Sequence, residues 1–311
     1  MADVTLIPVG ILLVVSLIFN VATSVAQKLY NKTAPAGRES NWFYNTCMGV
    51  ACLVFLVIYS IDPTAAEPFG SITDFSFASV GLGILFGVLV LAQSYTFMWA
   101  LEIGPFSYTT VIVSLATLIA AVSGLFFGES IDLFQYFGMG VMVLCIVFST
   151  DKNNGSRKSS LKWLVIALIS CLTNGFVGIM QKIHQNTEYK AQSTVFLVSA
   201  FAFMTVVSAL LWLYERKKSG KNRFDPNAKQ IAFALISGAT FAVPHTANLY
   251  LAGAMPSAVF FPIINTGGLI LTLLAATLLF KEKLSRLQWL GIALGLISSL
   301  FVSGTVSAWA G

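Results

Sequence analysis

Residues 6–29 read LIPVGILLVVSLIFNVATSVAQKL, and residues 161–183 read LKWLVIALISCLTNGFVGIMQKI. Both runs are long and apolar enough to cross a bilayer as a helix, which takes about 20 residues. They also carry the same polar residues at one offset along the chain: Ser16, Asn20, Gln27 and Lys28 in the first, and Ser170, Asn174, Gln181 and Lys182 in the second. Because polar residues are rare and costly inside membrane spans, this match indicates an internal repeat.

The composition of the whole chain agrees with a membrane protein. Its 311 residues are 57% hydrophobic and only 10% charged, whereas soluble domains carry about 25% charged residues. Long apolar runs predict spans at 6–29, 42–61, 76–101, 105–127, 132–150, 161–183, 193–214, 229–252, 256–280 and 286–308. Runs of this length favour helices over the alternating strands of a barrel, so the predicted fold class is all-α with ten transmembrane helices.

A second match sets the length of the repeat. Gly128-Glu129-x5-Gln135-x2-Gly138 follows the fourth predicted span, and Lys281-Glu282-x5-Gln288-x2-Gly291 follows the ninth. The repeat unit is therefore five spans, residues 1–150 and residues 161–308. An odd number of spans inverts the second copy in the membrane, and inverted repeats commonly enclose a central site.

The basic residues predict the orientation. Of the 18 Lys and Arg residues, all except Lys182 and Lys190 fall in or next to the loops that follow odd-numbered spans. The positive-inside rule makes those loops cytoplasmic, so both termini are predicted to lie outside a cell membrane. The net charge of +5 is thus explained by orientation, and no nucleic-acid partner is predicted.

The arrangement as a whole resembles the EamA-type transporters of the drug/metabolite transporter superfamily. Each half closes with a small-residue helix, a Glu and a Gln-x-x-Gly turn. The resemblance implies a bundle whose central cavity is lined by spans 1, 3, 4, 6, 8 and 9. It also implies export or exchange of metabolites, amino acids, nucleotide-sugar-like solutes or drugs. Members are usually drawn with cytoplasmic termini, so the charge distribution predicts an inverted orientation here.

Two polar stripes are the first candidates for substrate binding. Asn20 and Ser24 lie on one face of the first span, and Asn174 lies on the matching face of the sixth. Such side chains cannot face lipid cheaply. They either line a water-filled cavity or form hydrogen bonds between helices. Lys28 and Lys182, at the ends of the same spans, either flank the two mouths of a pathway or extend to the interface.

The eighth span contains a further candidate, His245, next to Pro244 and one turn before Asn248. A histidine beside a proline kink, well inside a span, is either a substrate ligand or proton carrier, or a residue satisfied by a neighbouring carbonyl. The matching part of the third span offers Gln93 and Tyr95.

The fourth and ninth spans complete the candidate set with Tyr108 and Asn265. Pro262 and the pair Gly267-Gly268 predict that the ninth span is locally irregular, and irregular backbone is tolerated where it lines a cavity.

These features predict a secondary transporter or facilitator for a small neutral, zwitterionic or anionic metabolite, such as an amino acid or a sugar-derived solute. Its expected partners are this solute and the lipid bilayer. A proton-coupled exporter is an alternative. It would need a carboxylate in the middle of a span, whereas Glu102, Glu129 and Glu282 fall at span ends. Glu129 and Glu282 suit helix N-termini there. A membrane enzyme acting on lipid-linked substrates is a remote alternative. It would need clustered acid, base or metal-binding residues, and the two histidines lie in different spans. No cofactor, metal site or disulfide is predicted.

Overall fold

The computed structural model describes residues 9–35, 37–61, 75–104, 109, 112–149, 160–220, 223–281 and 285–303. Within these ranges the chain is helical and has no β-strand, which confirms the predicted all-α class. The helices are α1 Val9–Thr33, α2 Arg38–Ile61, α3 Phe77–Ile103, α4 Ala116–Val122, α5 Leu133–Ser149, α6 Leu161–Gln185, α7 Ser193–Ser219, α8 Ala228–Ala254, α9 Ser257–Phe280 and α10 Arg286–Val302. A 3₁₀ segment, Ser123–Phe127, continues α4.

Several of these helices can cross a membrane. In the described part of the chain, α1, α2, α3, α6, α7 and α9 are long and apolar enough to do so, and shorter apolar helices cover Ile112–Phe127, Leu133–Phe148 and Arg286–Val302. The chain is therefore a multi-pass membrane protein. That all ten predicted segments cross the bilayer, in two inverted halves, stays a prediction.

Polar residues at the helix starts explain one of the repeated motifs. Gln288 and Ser285 form a capping box at the start of α10, in which the Gln288 amide oxygen accepts from the Ser285 N–H at 2.8 Å. Gln135 does the same at the start of α5, where its amide oxygen accepts from the Asp132 N–H at 3.0 Å. The repeated glutamine of the Gln-x-x-Gly turns thus satisfies backbone donors at a helix N-terminus.

The repeated glycine of the same motif serves helix contact. A Cβ atom at Gly138 of α5 would lie 2.8 Å from side-chain atoms of Phe301 and Val302 at the end of α10. The carbonyl of Gly138 also accepts a hydrogen bond from Ser298 at 2.8 Å. The absence of a side chain at Gly138 therefore lets α5 and α10 pack closely.

Close approach also explains the glycines of α3. A Cβ atom at Gly83 would lie 2.3 Å from the carbonyl oxygen of Phe196, and one at Gly87 would lie 2.5 Å from that of Ala200. The Gly-x-x-x-Gly spacing puts both glycines on one face of α3, against the backbone of α7.

The helix pairing has a regular form. The most extensive contacts join α5 with α10, α1 with α8, α2 with α7, α3 with α6, α3 with α7, and α2 with α8. If each helix is replaced by the helix five places away along the chain, the α1–α8 contact becomes the α6–α3 contact. In the same way, the α2–α8 contact becomes the α7–α3 contact. The replacement leaves α2–α7 and α5–α10 unchanged. Smaller contacts follow the same exchange, since α1 packs on α9 as α6 packs on α4.

Two prolines, Pro244 and Pro262, lie inside continuous helices. Pro244 is within α8 and Pro262 is within α9. The predicted irregular segment of the ninth span is not observed, because α9 continues through Pro262 and the two glycines as one helix. A proline removes only one backbone hydrogen bond, and the packing of a bundle can hold the remainder of the helix together.

Charged residues gather where α2 begins and α7 ends. Arg216 donates to Asp225 at 2.7 Å and lies 3.9 Å from Glu39, while Arg38 lies 3.8 Å from Glu215. The hydrogen bond from Arg216 lowers the pKa of Asp225 below its ordinary value. This cluster joins the start of α2 to the end of α7 and to the loop that follows α7, on the side predicted to be cytoplasmic.

Candidate functional site

A cavity of about 300 Å³ lies inside the bundle, between the helices that carry the polar stripes. Seven carboxamide side chains line it: Asn20, Gln27, Gln93, Asn174, Gln181, Asn248 and Asn265. Thr23, Ser24, Ser94, Thr117 and Tyr44 add hydroxyl groups, and His245 adds an imidazole. The remaining lining is largely aromatic and aliphatic, including Phe97, Phe241, Phe260, Phe261 and Ile264. We call this space the central cavity.

The stripes of α1 and α6 turn the same face to this cavity. Asn20, Ser24 and Gln27 lie along α1, and Asn174 and Gln181 lie along α6. Their spacing of three, four or seven residues keeps them in line on a helix, which is why two separate segments contribute one wall each.

The two symmetry-related asparagines make no hydrogen bonds through their amides to the described part of the chain. Ser24 donates at 3.0 Å to Asn20, but the acceptor is the backbone carbonyl and not the side-chain amide. Asn174 is half-buried and likewise has no side-chain partner among the described residues. Amides that served as links between helices would be hydrogen-bonded across the bundle. This geometry favours the cavity alternative over the linking alternative.

Two other asparagines are held by the protein. Asn248 accepts a hydrogen bond from Ser16 at 2.6 Å through Oδ1, which leaves its Nδ2 group as a donor. Asn265 donates from Nδ2 to the carbonyl of Phe261 at 3.0 Å, which leaves its Oδ1 as an acceptor. The two side chains are therefore oriented oppositely, one as a donor and the other as an acceptor.

His245 lies in an aromatic enclosure. Its ring centroid is 4.1 Å from that of Phe241, 5.8 Å from Phe86 and 5.9 Å from Phe201. Its Nδ1 atom is buried and has no hydrogen-bond partner among the residues that the structure describes. The neighbouring-carbonyl alternative for His245 is therefore not supported at Nδ1, and the imidazole is left as a group for a solute.

Not every predicted site residue lies at the cavity. Asn20, Ser24, Gln93, Asn174, His245, Asn248 and Asn265 line it. Tyr95 does not, because its ring stacks on Trp42 with centroids 4.7 Å apart and planes 5° apart. Tyr108 lies outside the described residues. We therefore leave Tyr95 out of the proposed site.

Lys182 differs most from the expectation of a pathway mouth. It is 5% exposed, its ammonium group lies 2.5 Å from Glu129, and it donates to the carbonyl of Met255 at 3.0 Å. The other Glu129 oxygen accepts from the Ser257 N–H at 2.6 Å, which is the role at a helix N-terminus expected for this glutamate. Lys182 is thus buried and ion-paired, and it does not line the central cavity. Lys28 is also absent from that lining.

The aromatic part of the cavity was not found from the sequence. Phe241, Phe260 and Phe261 are three of the 25 phenylalanines of the chain, and nothing in the sequence distinguishes them from the others. Only their position on helix faces that meet at the centre separates them from core residues.

The chemistry of the cavity is that of neutral hydrogen bonding. No Asp, Glu, Lys or Arg lines it among the described residues. No group of three or more His, Cys, Asp or Glu side chains in the described ranges could hold a metal ion. Amides and hydroxyls both donate and accept, so the lining suits an uncharged polar molecule.

The fold and the cavity together define a polytopic helical membrane protein with an internal polar chamber. Residues 161–304 match the model of the EamA-like transporter family. The match falls within the second half of the chain and confirms the resemblance to drug/metabolite transporters.

Two further comparisons concern the whole chain. A solved structure described only as "Crystal structure of protein" covers 97% of this chain and 99% of its own, with a TM-score of 0.70 and 10% sequence identity. At that identity the likeness shows the fold alone. No curated protein matches the sequence.

Proposed function

We propose that the protein is a secondary transporter or facilitator that moves a small uncharged polar metabolite through the central cavity. The observation that carries the proposal is that seven carboxamides and one imidazole line the central cavity, and that no charged side chain of the described residues does. The EamA-like family of the second half supports transport as the activity. A chamber of about 300 Å³ is at the lower end of the range for small-molecule sites.

The charge of the cavity lining supports one of the solute classes that the sequence left open. Burying an isolated charge costs far more than burying a hydrogen-bonded neutral group. An anion would require a cation in the cavity lining, and the buried Lys182 is already paired with Glu129. The lining therefore favours a neutral solute over an anionic one.

We further propose that two five-helix halves, residues 1–150 and 161–308, rock against each other about this cavity. The exchange symmetry of the helix contacts supports two related halves. The family match, at residues 161–304, falls within the second of them. The halves contribute Asn20 and Asn174 from related positions, so the solute would lie on the axis that relates them.

Many weak hydrogen bonds suit this mechanism. Each contributes about 1 kcal/mol net, because the solute exchanges bonds with water for bonds with the protein. Several such bonds select a solute without holding it too tightly for release on the other side. The Asn248 donor and the Asn265 acceptor, on adjacent helices, provide directions that a solute must match.

Uptake into proteoliposomes tests the proposed function and its energy coupling together. We expect the purified protein to accelerate entry of at least one solute from a panel of radiolabelled alditols and neutral amides, with zwitterionic amino acids as the charged comparison. We expect the same initial rate with and without an imposed pH gradient, because no carboxylate of the described residues lines the cavity to carry a proton.

The alternative is proton coupling through His245. It predicts a rate that rises with the gradient and loses that dependence in His245→Gln. Acceleration restricted to charged solutes would refute the proposal of a neutral substrate.

We also propose that the protein lies in the plasma membrane with both termini outside. The basic residues of the loops after odd-numbered spans support this orientation. A reporter fused after Gly311 is expected to be active only if it functions outside the cytosol. A reporter that is active only in the cytosol would reverse the proposed orientation.

A further inference from the structure

A second, smaller cavity adjoins the central cavity beside α9. Its volume is about 100 Å³, room for about three water molecules at roughly 30 Å³ each. It shares Thr117, Asn174 and Asn265 with the central cavity. Its other lining residues are Val113, Ser114, Ile146, Thr266 and Leu269. We call this space the side chamber.

Thr266 of the side chamber has a hydroxyl without a hydrogen-bond partner among the described residues. It is 2% exposed, and its hydroxyl oxygen is buried without a hydrogen bond. Thr246 of α8 and Thr277 of α9 behave differently, since each donates to the carbonyl four residues earlier, at 2.9 and 3.0 Å. A helical threonine normally has that bond available. Thr266 does not make it, and its hydroxyl oxygen has almost no surface open to the chamber. A solute group would therefore reach this hydroxyl when the side chain turns about its Cα–Cβ bond.

The surroundings of Thr266 define what that group is. The Nδ2 group of Asn265 is bound to the Phe261 carbonyl, so Oδ1 of Asn265 remains an acceptor. The amide of Asn174 has no partner among the described residues and also lines the chamber. No charged side chain of the described part of the chain lines the side chamber. A donor without charge fits this lining, because a charged group would be buried with no counter-charge.

We propose that the side chamber is a second subsite for the transported solute and takes an uncharged donor group, a hydroxyl or a carboxamide N–H, at one end of it. The inference rests on the proposed function, since the body of the same solute occupies the central cavity. Thr266 and Asn265 accept the donor. Solutes that end in such a group are therefore preferred over solutes of similar length that end in a methyl.

Two matched pairs of probes test this preference and distinguish the two donor types. Xylitol is compared with 1-deoxyxylitol, and glutaramide with hexanamide, which has the same chain length and ends in a methyl, in binding to the purified full chain in nanodiscs. We expect the donor-ended member of at least one pair to bind about tenfold more tightly, the effect of one buried hydrogen bond. A preference for xylitol alone identifies a hydroxyl subsite, and one for glutaramide alone identifies a carboxamide subsite.

Substitutions at Thr266 assign the preference to the side chamber. Thr266→Val is expected to remove it while leaving the thermal stability of the free protein unchanged or higher, because no protein hydrogen bond is lost. Thr266→Ser is expected to keep it. Thr277→Val, the same change on the same helix at a threonine bonded to its own helix, is expected to keep it too. Thr266→Ala removes the same hydroxyl and replaces the valine variant if that variant does not fold.

The result that overturns the subsite is a donor preference that is absent in the wild type or unchanged in both Thr266→Val and Thr266→Ala. That result leaves the proposed function standing if proteoliposome uptake of a neutral solute is observed. Absence of uptake for every neutral solute would instead remove the proposed function itself.

Discussion

Asn174→Leu is expected to weaken solute binding by about 10- to 100-fold and to reduce proteoliposome uptake towards the level of empty vesicles. A polar group of the solute would lose its partner and face an alkyl chain, which costs about 1–3 kcal/mol. Asn174 borders both the central cavity and the side chamber, so leucine would also fill space at their junction. Asn20→Leu is expected to act in the same direction through the other wall of the central cavity.

Stability separates this explanation from a purely structural one. Because the Asn174 amide has no side-chain partner among the described residues, the thermal stability of the solute-free variant should not fall. Thr173→Val is the matched control, since the Thr173 hydroxyl donates to the carbonyl of Ile169 within its own helix and does not line the cavity. A large loss of stability in Asn174→Leu, with solute affinity retained, would show that this amide links helices instead.

Lys182→Met is expected to lower the free energy of unfolding by about 3–5 kcal/mol. The substitution removes the ammonium group that lies 2.5 Å from Glu129 and leaves that carboxylate, whose side chain is 17% exposed, without its counter-charge. It also removes the donor to the Met255 carbonyl. Thermal or denaturant unfolding in detergent measures the loss.

Two further variants identify the cause of that loss. Glu129→Gln in the Lys182→Met background should recover part of the stability, because glutamine is neutral and still accepts from the Ser257 N–H. Lys190→Met is the control, since Lys190 is exposed and is the other basic residue on the predicted outer side. Equal effects of Lys182→Met and Lys190→Met would mean that the buried ion pair contributes nothing to stability.

The Lys182–Glu129 pair joins three parts of the bundle at one end of the cavity. Glu129 follows the 3₁₀ segment after α4, Lys182 lies in the last turn of α6, and Met255 and Ser257 connect α8 to α9. Gly124 makes room for the carboxylate, because a Cβ atom there would lie 2.1 Å from a Glu129 oxygen. If the proposed rocking separates the helices at this position, it must either break the Lys182–Glu129 ion pair or move both residues together.

Much of the site could be predicted because polar residues inside apolar spans are costly. Asn20, Asn174, His245 and Asn265 stand out in the sequence for that reason, and all four line the central cavity. The repeated Gln-x-x-Gly turn was also visible, although its explanation as a capping glutamine followed by a packing glycine needed the geometry of α5 and α10. Tyr95 was chosen because it lies in the part of the third span that matches the region of His245, and it stacks on Trp42 instead.

The sequence alone was enough to show that this protein lies in lipid and that its two halves repeat the same polar residues. Hydrophobic run length and the spacing of polar residues are local properties, and they suffice for a helical membrane bundle with one polar face on each of α1 and α6. Only the tertiary structure decided which polar groups are engaged. Ser16 holds Asn248, Glu129 holds Lys182, and the amides of Asn20 and Asn174 have no partner in the described chain. Hydrogen bonds and ion pairs depend on side chains separated by tens to hundreds of residues meeting within about 3 Å, and no local pattern contains that distance.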